Sequence, residues 1–167
     1  MSAELVRGID LLTGALSREA FEAVVARAVH EARRDGRVLS LLWIDVDELC
    51  ELNDIHGRDA LDASLSWLAT RLSRVIDGRG PIGRVEGGAF AALLPDVTRD
   101  AALVLSDQIR RAIPRLVHSS AFGDYRIAVS VGVASLKPTE PWGNFLEAAE
   151  MACRRAKQGG RDAVVAR

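Results

Sequence analysis

The sequence predicts an α/β fold of the α+β kind, in which one mixed or antiparallel central sheet is flanked by helices. Val38 to Val46 (VLSLLWIDV) is a near-continuous apolar run of strand length without a breaker, the pattern of a central strand buried on both faces. Two further apolar runs, Ile82 to Val85 and Phe90 to Leu94, flank Gly87-Gly88, the pattern of a β-hairpin whose tight turn asks for positive φ. Helical periodicities surround these strands in the order helix, strand, helix pair, hairpin, helix, strand, helix, strand, which two packed layers accommodate most economically.

Taken in order, residues 1–16 are a short lead-in containing Gly8, Asp10 and Thr13-Gly14. Ser17 has the chemistry of an N-cap, and Phe21, Val24, Val25, Ala28, Val29 and Ala32 follow at helical spacing until Asp35-Gly36 closes the helix. After the central strand, a short helix is expected over Glu48 to Asp54, with Gly57 as its breaker. A long helix follows from Asp59 to Ile76, with Leu61, Leu65, Leu68, Leu72 and Val75 on one stripe. Residues 77–81 form a loop into the hairpin. A helix from Arg99 to Leu116 presents Ala102, Leu105, Ile109, Ala112 and Ile113 on one face, and Tyr125 to Leu136 alternates as a strand. A last helix spans Trp142 to Lys157, Gly159-Gly160 ends it, and a short strand occupies Ala163 to Ala166. The 167 residues read as one domain, 1–167, large enough to bury about two thirds of its unfolded surface.

A net charge of -1 and a pI near 6.3 argue against a nucleic-acid or anionic-membrane surface, which needs clustered Lys and Arg. Cys50 and Cys153 have no paired spacing and read as reduced, buried thiols rather than a disulfide or zinc framework. No window has the apolar length of a membrane span, so a cytoplasmic location is expected.

Several short motifs then coincide. Asp10-Leu11-Leu12-Thr13-Gly14 is followed by Arg18 and Phe21. Ile44-Asp45-Val46-Asp47 ends the central strand, and Asn53-Asp54 precedes Gly57 and Asp62. Arg84 and Phe90 bracket the hairpin turn, Ser130-Val131-Gly132-Val133-Ala134 forms part of the later strand, and Ala156-Lys157-Gln158-Gly159-Gly160-Arg161 ends the last helix. In this order and spacing they resemble the GGDEF domain of diguanylate cyclases. The resemblance covers nearly the whole chain and implies a palm-like nucleotidyl-cyclase fold, with a mostly antiparallel sheet of five to six strands and the signature on the hairpin.

In register with that signature stand Glu86, Gly87, Gly88, Ala89 and Phe90, so both acidic positions are absent. In an active member the resemblance implies two divalent ions, held by hairpin carboxylates, the first Asp of D-x-D and the following carbonyl, that clamp a GTP triphosphate during 3′-hydroxyl attack. Here only Asp45 and the Val46 carbonyl remain as residual ligands for Mg²⁺, which prefers octahedral oxygen ligation. Turnover to cyclic di-GMP is therefore not expected, and no catalytic residue set is expected intact. Glu86 is a displaced acid, hampered by the alternation of side chains along a strand, or a bulky anion that repels an approaching phosphate, or a solvated turn residue with no role. By resemblance Asn53 and Asp62 bind guanine, and Lys157 and Arg161 bind the triphosphate. The alternatives are a helix C-cap for Asn53, an exposed first-turn acid for Asp62 and a cationic helix C-terminus for the other two. Asp47 is expected to N-cap the short helix. Leu49-Cys50 replaces the family's Phe-Lys, and Leu61 replaces a Gly before Asp62. The family's inhibitory R-x-x-D falls on Asp77 and Gly80, so no inhibitory product site is expected. The expectation is a regulatory, GTP-sensing or protein-interaction domain in cyclic di-GMP signalling, acting with a protein partner or sensory domain or as a homodimer. The rival expectations are a cyclase with rearranged metal ligands and a dimerisation scaffold without nucleotide.

Overall fold

Leu39 to Ile44 are buried without interruption, as a central strand requires, and the rest of the fold is laid out from this strand. The structure is a computed structural model and describes residues 8–113, 118–120 and 123–167, with the backbone alone at 118–120 and 123–125. The elements are α1 (Arg18–Asp35), β1 (Leu39–Val46), α2 (Leu49–Ile76), β2 (Ile82–Glu86), β3 (Ala89–Pro95), α3 (Arg99–Ala112), β4 (His118–Ser120), β5 (Gly123–Tyr125), β6 (Val129–Ser135), α4 (Trp142–Gln158) and β7 (Val164–Ala166). The main sheet has five strands in the order β2-β3-β1-β6-β7, antiparallel except for the β6–β7 pair. The expected α+β architecture is the one found.

Period-two alternation along β1 divides the core. Leu42, Ile44 and Val46 face Leu65, Leu68, Leu72 and Ile109 of α2 and α3. Leu39, Leu41 and Trp43 face Phe21 and Val25 of α1 and Phe145 and Ala149 of α4. Asp45 continues the second set, so its carboxylate is on the α1/α4 side of the sheet, next to α4. The expected helical stripes are the buried ones: Phe21, Val25, Val29 and Ala32 in α1, and Leu65, Leu68 and Leu72 in α2. Ser17 caps α1 through its hydroxyl, which accepts from the Ala20 N–H at 3.3 Å.

The short helix and the long helix expected on either side of Gly57 are found within α2, divided where Gly57 takes the non-helical φ of 80° and ψ of 175°, a conformation open to glycine. The structure differs from the sequence reading in two other places. The strand expected from Tyr125 to Leu136 is divided: Tyr125 ends β5, which pairs with β4 in a separate two-stranded sheet, and β6 begins at Val129. Alternation carries no mark of where a strand changes sheets. The described part of α3 ends at Ala112, and positions 114–116 of the expected helix lie outside the described residues. Cys153 is buried as expected, whereas Cys50, in the first turn of α2, is exposed.

Candidate functional site

The carboxyl end of β1 meets the hairpin on one side and the end of α4 on the other. In the sheet register Asp45 stands opposite Ala89 of β3 and Ser130 of β6, and Glu86 of β2 stands opposite Ala89. Glu86, Ala89, Asp45 and Ser130 thus form one row across four strands. A bulge at Val85, the extra residue between the Arg84–Phe90 and Glu86–Ala89 pairs, brings Glu86 into that row. The sequence-based concern that Glu86 points to the other face is corrected by this bulge. Glu86 and Asp45 line a single cleft of about 200 Å³ with Trp43, Glu150, Cys153, Arg154 and Lys157.

The cleft is organised by Lys157. Its Nζ lies 2.7 Å from Asp45 Oδ2 and donates to the Val46 carbonyl at 3.1 Å. Asp45 and Lys157 are each between a quarter and a third exposed, so water screens this pair less than one on the open surface. Below it, the Cys153 thiol donates to the Ser130 carbonyl at 3.2 Å. Burial first, and then the charge of Asp45, push that thiol's pKa up to about 12, so it stays protonated and inert.

Asp47 has a different task from the expected N-cap. The N-cap of α2 is Glu48, with φ 57° and no side-chain cap. The Asp47 carboxylate, 8% exposed, instead accepts from the Ser130 hydroxyl at 2.8 Å and from the Asp162 N–H at 3.0 Å. It thereby ties β6 and the turn after α4 to the end of β1. The signal for this role was present in the spacing, because residues 45 and 47 share a parity.

At the hairpin tip, Gly87 supplies the positive φ, 34°. Gly88 is small for another reason: a Cβ there would lie 2.6 Å from the Leu49 side chain of α2. Arg84 fastens the tip, donating to the Gly87 carbonyl at 2.9 and 3.1 Å and to both Asp10 carboxylate oxygens at 3.2 and 3.3 Å.

The other sequence-derived residues are not gathered into this cleft. Asn53 is half-buried on α2, one turn after Leu49 and on the same side of the helix, which faces the hairpin tip; it lies within the helix and not at its end as a C-cap would. Asp62 lies beyond the Gly57 bend and pairs with Arg58 at 4.0 Å. Arg161 is exposed in the turn after α4, with φ 64°. Of the expected triphosphate pair, only Lys157 reaches the strand end.

These donors do not suit a pair of Mg²⁺ ions. The strand end offers one carboxylate and one carbonyl, both already engaged by Lys157; at the two signature-acid positions the hairpin offers a hydrogen and a methyl, Gly88 and Ala89, and its one carboxylate lining the cleft is Glu86. Among the described residues no three His, Cys, Asp or Glu side chains are grouped to hold a metal. Likewise among the described residues, no helix is long and apolar enough to cross a membrane.

The sequence model of the GGDEF domain of diguanylate cyclases matches residues 8–163. Diguanylate cyclase DosC of Escherichia coli K12 is 27% identical over 158 residues, which are 94% of this chain and 34% of DosC. Curated relatives of this kind are more than twice as long as the chain, which spans 41% of another from the same organism. The GGDEF domain of DgcB from Caulobacter crescentus, solved in complex with c-di-GMP, superposes with a TM-score of 0.90 at 29% identity, covering 95% of this chain and 92% of that one. Diguanylate cyclase SiaD of Pseudomonas aeruginosa, solved with its activator SiaC, superposes at 0.91 with 25% identity, covering 98% of this chain and 64% of SiaD. With its central strand, hairpin and terminal helix in the same order, the chain belongs to the GGDEF domain family of diguanylate cyclases.

Proposed function

We propose that this domain is a degenerate member that makes no cyclic di-GMP and serves cyclic di-GMP signalling as a guanine-nucleotide-responsive module. The observation that carries the reading is the register of Ala89 against Asp45: a methyl group stands beside the strand-end carboxylate where the family's second signature acid falls. Losing a metal-borne charge clamp removes several kcal/mol of transition-state stabilisation, and each 1.4 kcal/mol is about tenfold in rate. Near-complete loss of turnover follows. Base recognition is assigned to Asn53 and Asp62, supported by an amide and a carboxylate that match the donor and acceptor edge of guanine. By resemblance the triphosphate is assigned to Lys157 and Arg161, and Mg²⁺ has at most a weak role through nucleotide phosphates. The protein partner is a sensory or activator protein, by analogy with the solved SiaD–SiaC pair.

Calorimetric titration of GTP into the purified chain, with and without Mg²⁺, tests this. Micromolar binding that Asp62→Ala abolishes is expected, and heat-silent titrations of both proteins would leave a dimerisation scaffold instead. Glu86 favours one rival, a cyclase with rearranged ligands, because it shares a sheet face and a cleft with Asp45. Chromatographic detection of cyclic di-GMP that disappears in Asp45→Ala would establish that rival; none is expected.

A further inference from the structure

The two donors left at the end of β1 are bound by a group of the chain itself. Lys157 Nζ makes a 2.7 Å ion pair with Asp45 Oδ2 and a 3.1 Å hydrogen bond to the Val46 carbonyl, one cation against one carboxylate and one carbonyl dipole. The pair is neutral and engages both donors, and Glu86, Glu150 and Arg154 line the same cleft. We propose that the Lys157 ammonium is a built-in cation that occupies the place of a metal ion and closes this strand end to divalent cations.

Three other contacts hold the lysine there or fill the space beside it. Asp47 binds the Asp162 N–H and the Ser130 hydroxyl, which fixes the turn directly after α4 and so the end of the helix that carries Lys157. The Ala89 methyl stands opposite Asp45 in the register and adds no oxygen. Leu49 fills the space beside Gly88, where a Cβ would come within 2.6 Å of it. An incoming Mg²⁺ must give up water for Asp45, with Glu86 the one hairpin carboxylate in the cleft, while displacing an ammonium tethered at an effective concentration in the millimolar range. A divalent ion wins such a contest only with more carboxylates than the hairpin now provides. Lys157 therefore acts at the strand end as a counter-ion, and the resemblance-derived role of binding a triphosphate passes to Arg161 alone.

The inference rests on reading the strand end as a degenerate cyclase centre, and metal occupancy separates the two claims because it is read without nucleotide or turnover. Mn²⁺, which shares the oxygen-ligand preference of Mg²⁺, is titrated into the full chain while free Mn²⁺ is counted by electron paramagnetic resonance. The wild type is expected to bind none in the micromolar range. Lys157→Met is expected to bind at least about tenfold more tightly, a gain of about 1.4 kcal/mol, and Asp45→Asn in the Lys157→Met background to remove that gain. Equal affinity in wild type and Lys157→Met, tight or weak, overturns the proposal, as does a gain that survives Asp45→Asn. Thermal melting checks that the variants fold. Nitrogen-15 NMR of the lysine ammonium groups gives a reading on the native chain: one slowly exchanging signal, absent from Lys157→Gln and unmoved by millimolar MgCl₂. A saturable shift of that signal with Mg²⁺ overturns the proposal even if every variant unfolds. Tight Mn²⁺ binding by the wild type without cyclic di-GMP production refutes the built-in cation and leaves the non-cyclase reading standing.

Discussion

Asp10 and Arg84, 74 positions apart in the chain, join the lead-in to the hairpin. The Asp10 carboxylate accepts from the Thr13 N–H at 2.9 Å and its hydroxyl at 2.6 Å, and Arg84 spans from this carboxylate to the Gly87 carbonyl. Burial works to raise the Asp10 pKa, but the hydrogen bonds from Thr13 and the charge of Arg84 outweigh it and hold the carboxyl below its ordinary 3.8. A carboxylate whose pKa is depressed on folding stabilises fully above its unfolded value, and the contribution disappears as pH falls through the folded value. Asp10→Asn is therefore expected to cost about 1 kcal/mol at neutral pH, the pair being partly exposed, and the gap to wild type to close below about pH 4. Urea unfolding of both proteins from neutral to acid pH measures this; a gap that stays constant into acid would assign the latch to shape and not to charge. The letters of this latch were legible in the sequence as D-x-L-T-G and the Arg of the signature. Their meeting was not, because a pairing over such a separation depends on the sheet that brings both ends together.

At the scale of elements, two glycines show how differently the same residue can be required. Gly132 of β6 lies under α4, where a Cβ would meet the Ala149 carbonyl oxygen at 2.1 Å and the Cys153 nitrogen at 2.3 Å. Both are helix backbone and cannot rotate aside. Gly132→Ala must lift α4 from the sheet, at an expected cost of about 3 kcal/mol, or about 6–12 °C in Tm. Gly88→Ala meets only the far end of Leu49, a flexible side chain, and is expected to cost less than about 1 kcal/mol. Differential scanning calorimetry of the two variants decides the point; similar losses would mean that Leu49 is as fixed as the helix. The sequence marked both glycines by motif, yet its physical reading, a turn needing positive φ, holds at Gly87 and not at Gly88. The stripe on α2 and the unbroken apolar run of β1 were legible because burial imposes a period that composition displays. The bulge at Val85 was not, since an inserted residue leaves the pattern of polar and apolar letters nearly unchanged.

For the whole molecule, the single central sheet with its flanking helices follows from patterns any reader of the sequence can count, whereas the strand order and the site depend on which ends meet in the fold. Asp45 and Lys157, 112 positions apart by their numbering, each stood out in a separate motif, and only the packing of α4 on β1 and β6 makes them an ion pair. That arrangement separates the metal question from the nucleotide question, because Asn53 and Asp62 sit on α2, against the opposite side of the sheet. A ligand held by α2 binds the folded state alone and so stabilises the whole domain, by about 2.7 kcal/mol at one hundred times its dissociation constant. For a chain of this size that is about 5–10 °C in Tm. GTP, GDP and GMP are each expected to raise Tm in the presence of chelator, with Asp62→Ala abolishing the rise and added Mg²⁺ changing it little. A rise that requires Mg²⁺ would place the phosphates on a metal and return Asp45 to the role of ligand, whereas no rise with any of the three would leave the surface, and not the nucleotide, as what the fold is kept for.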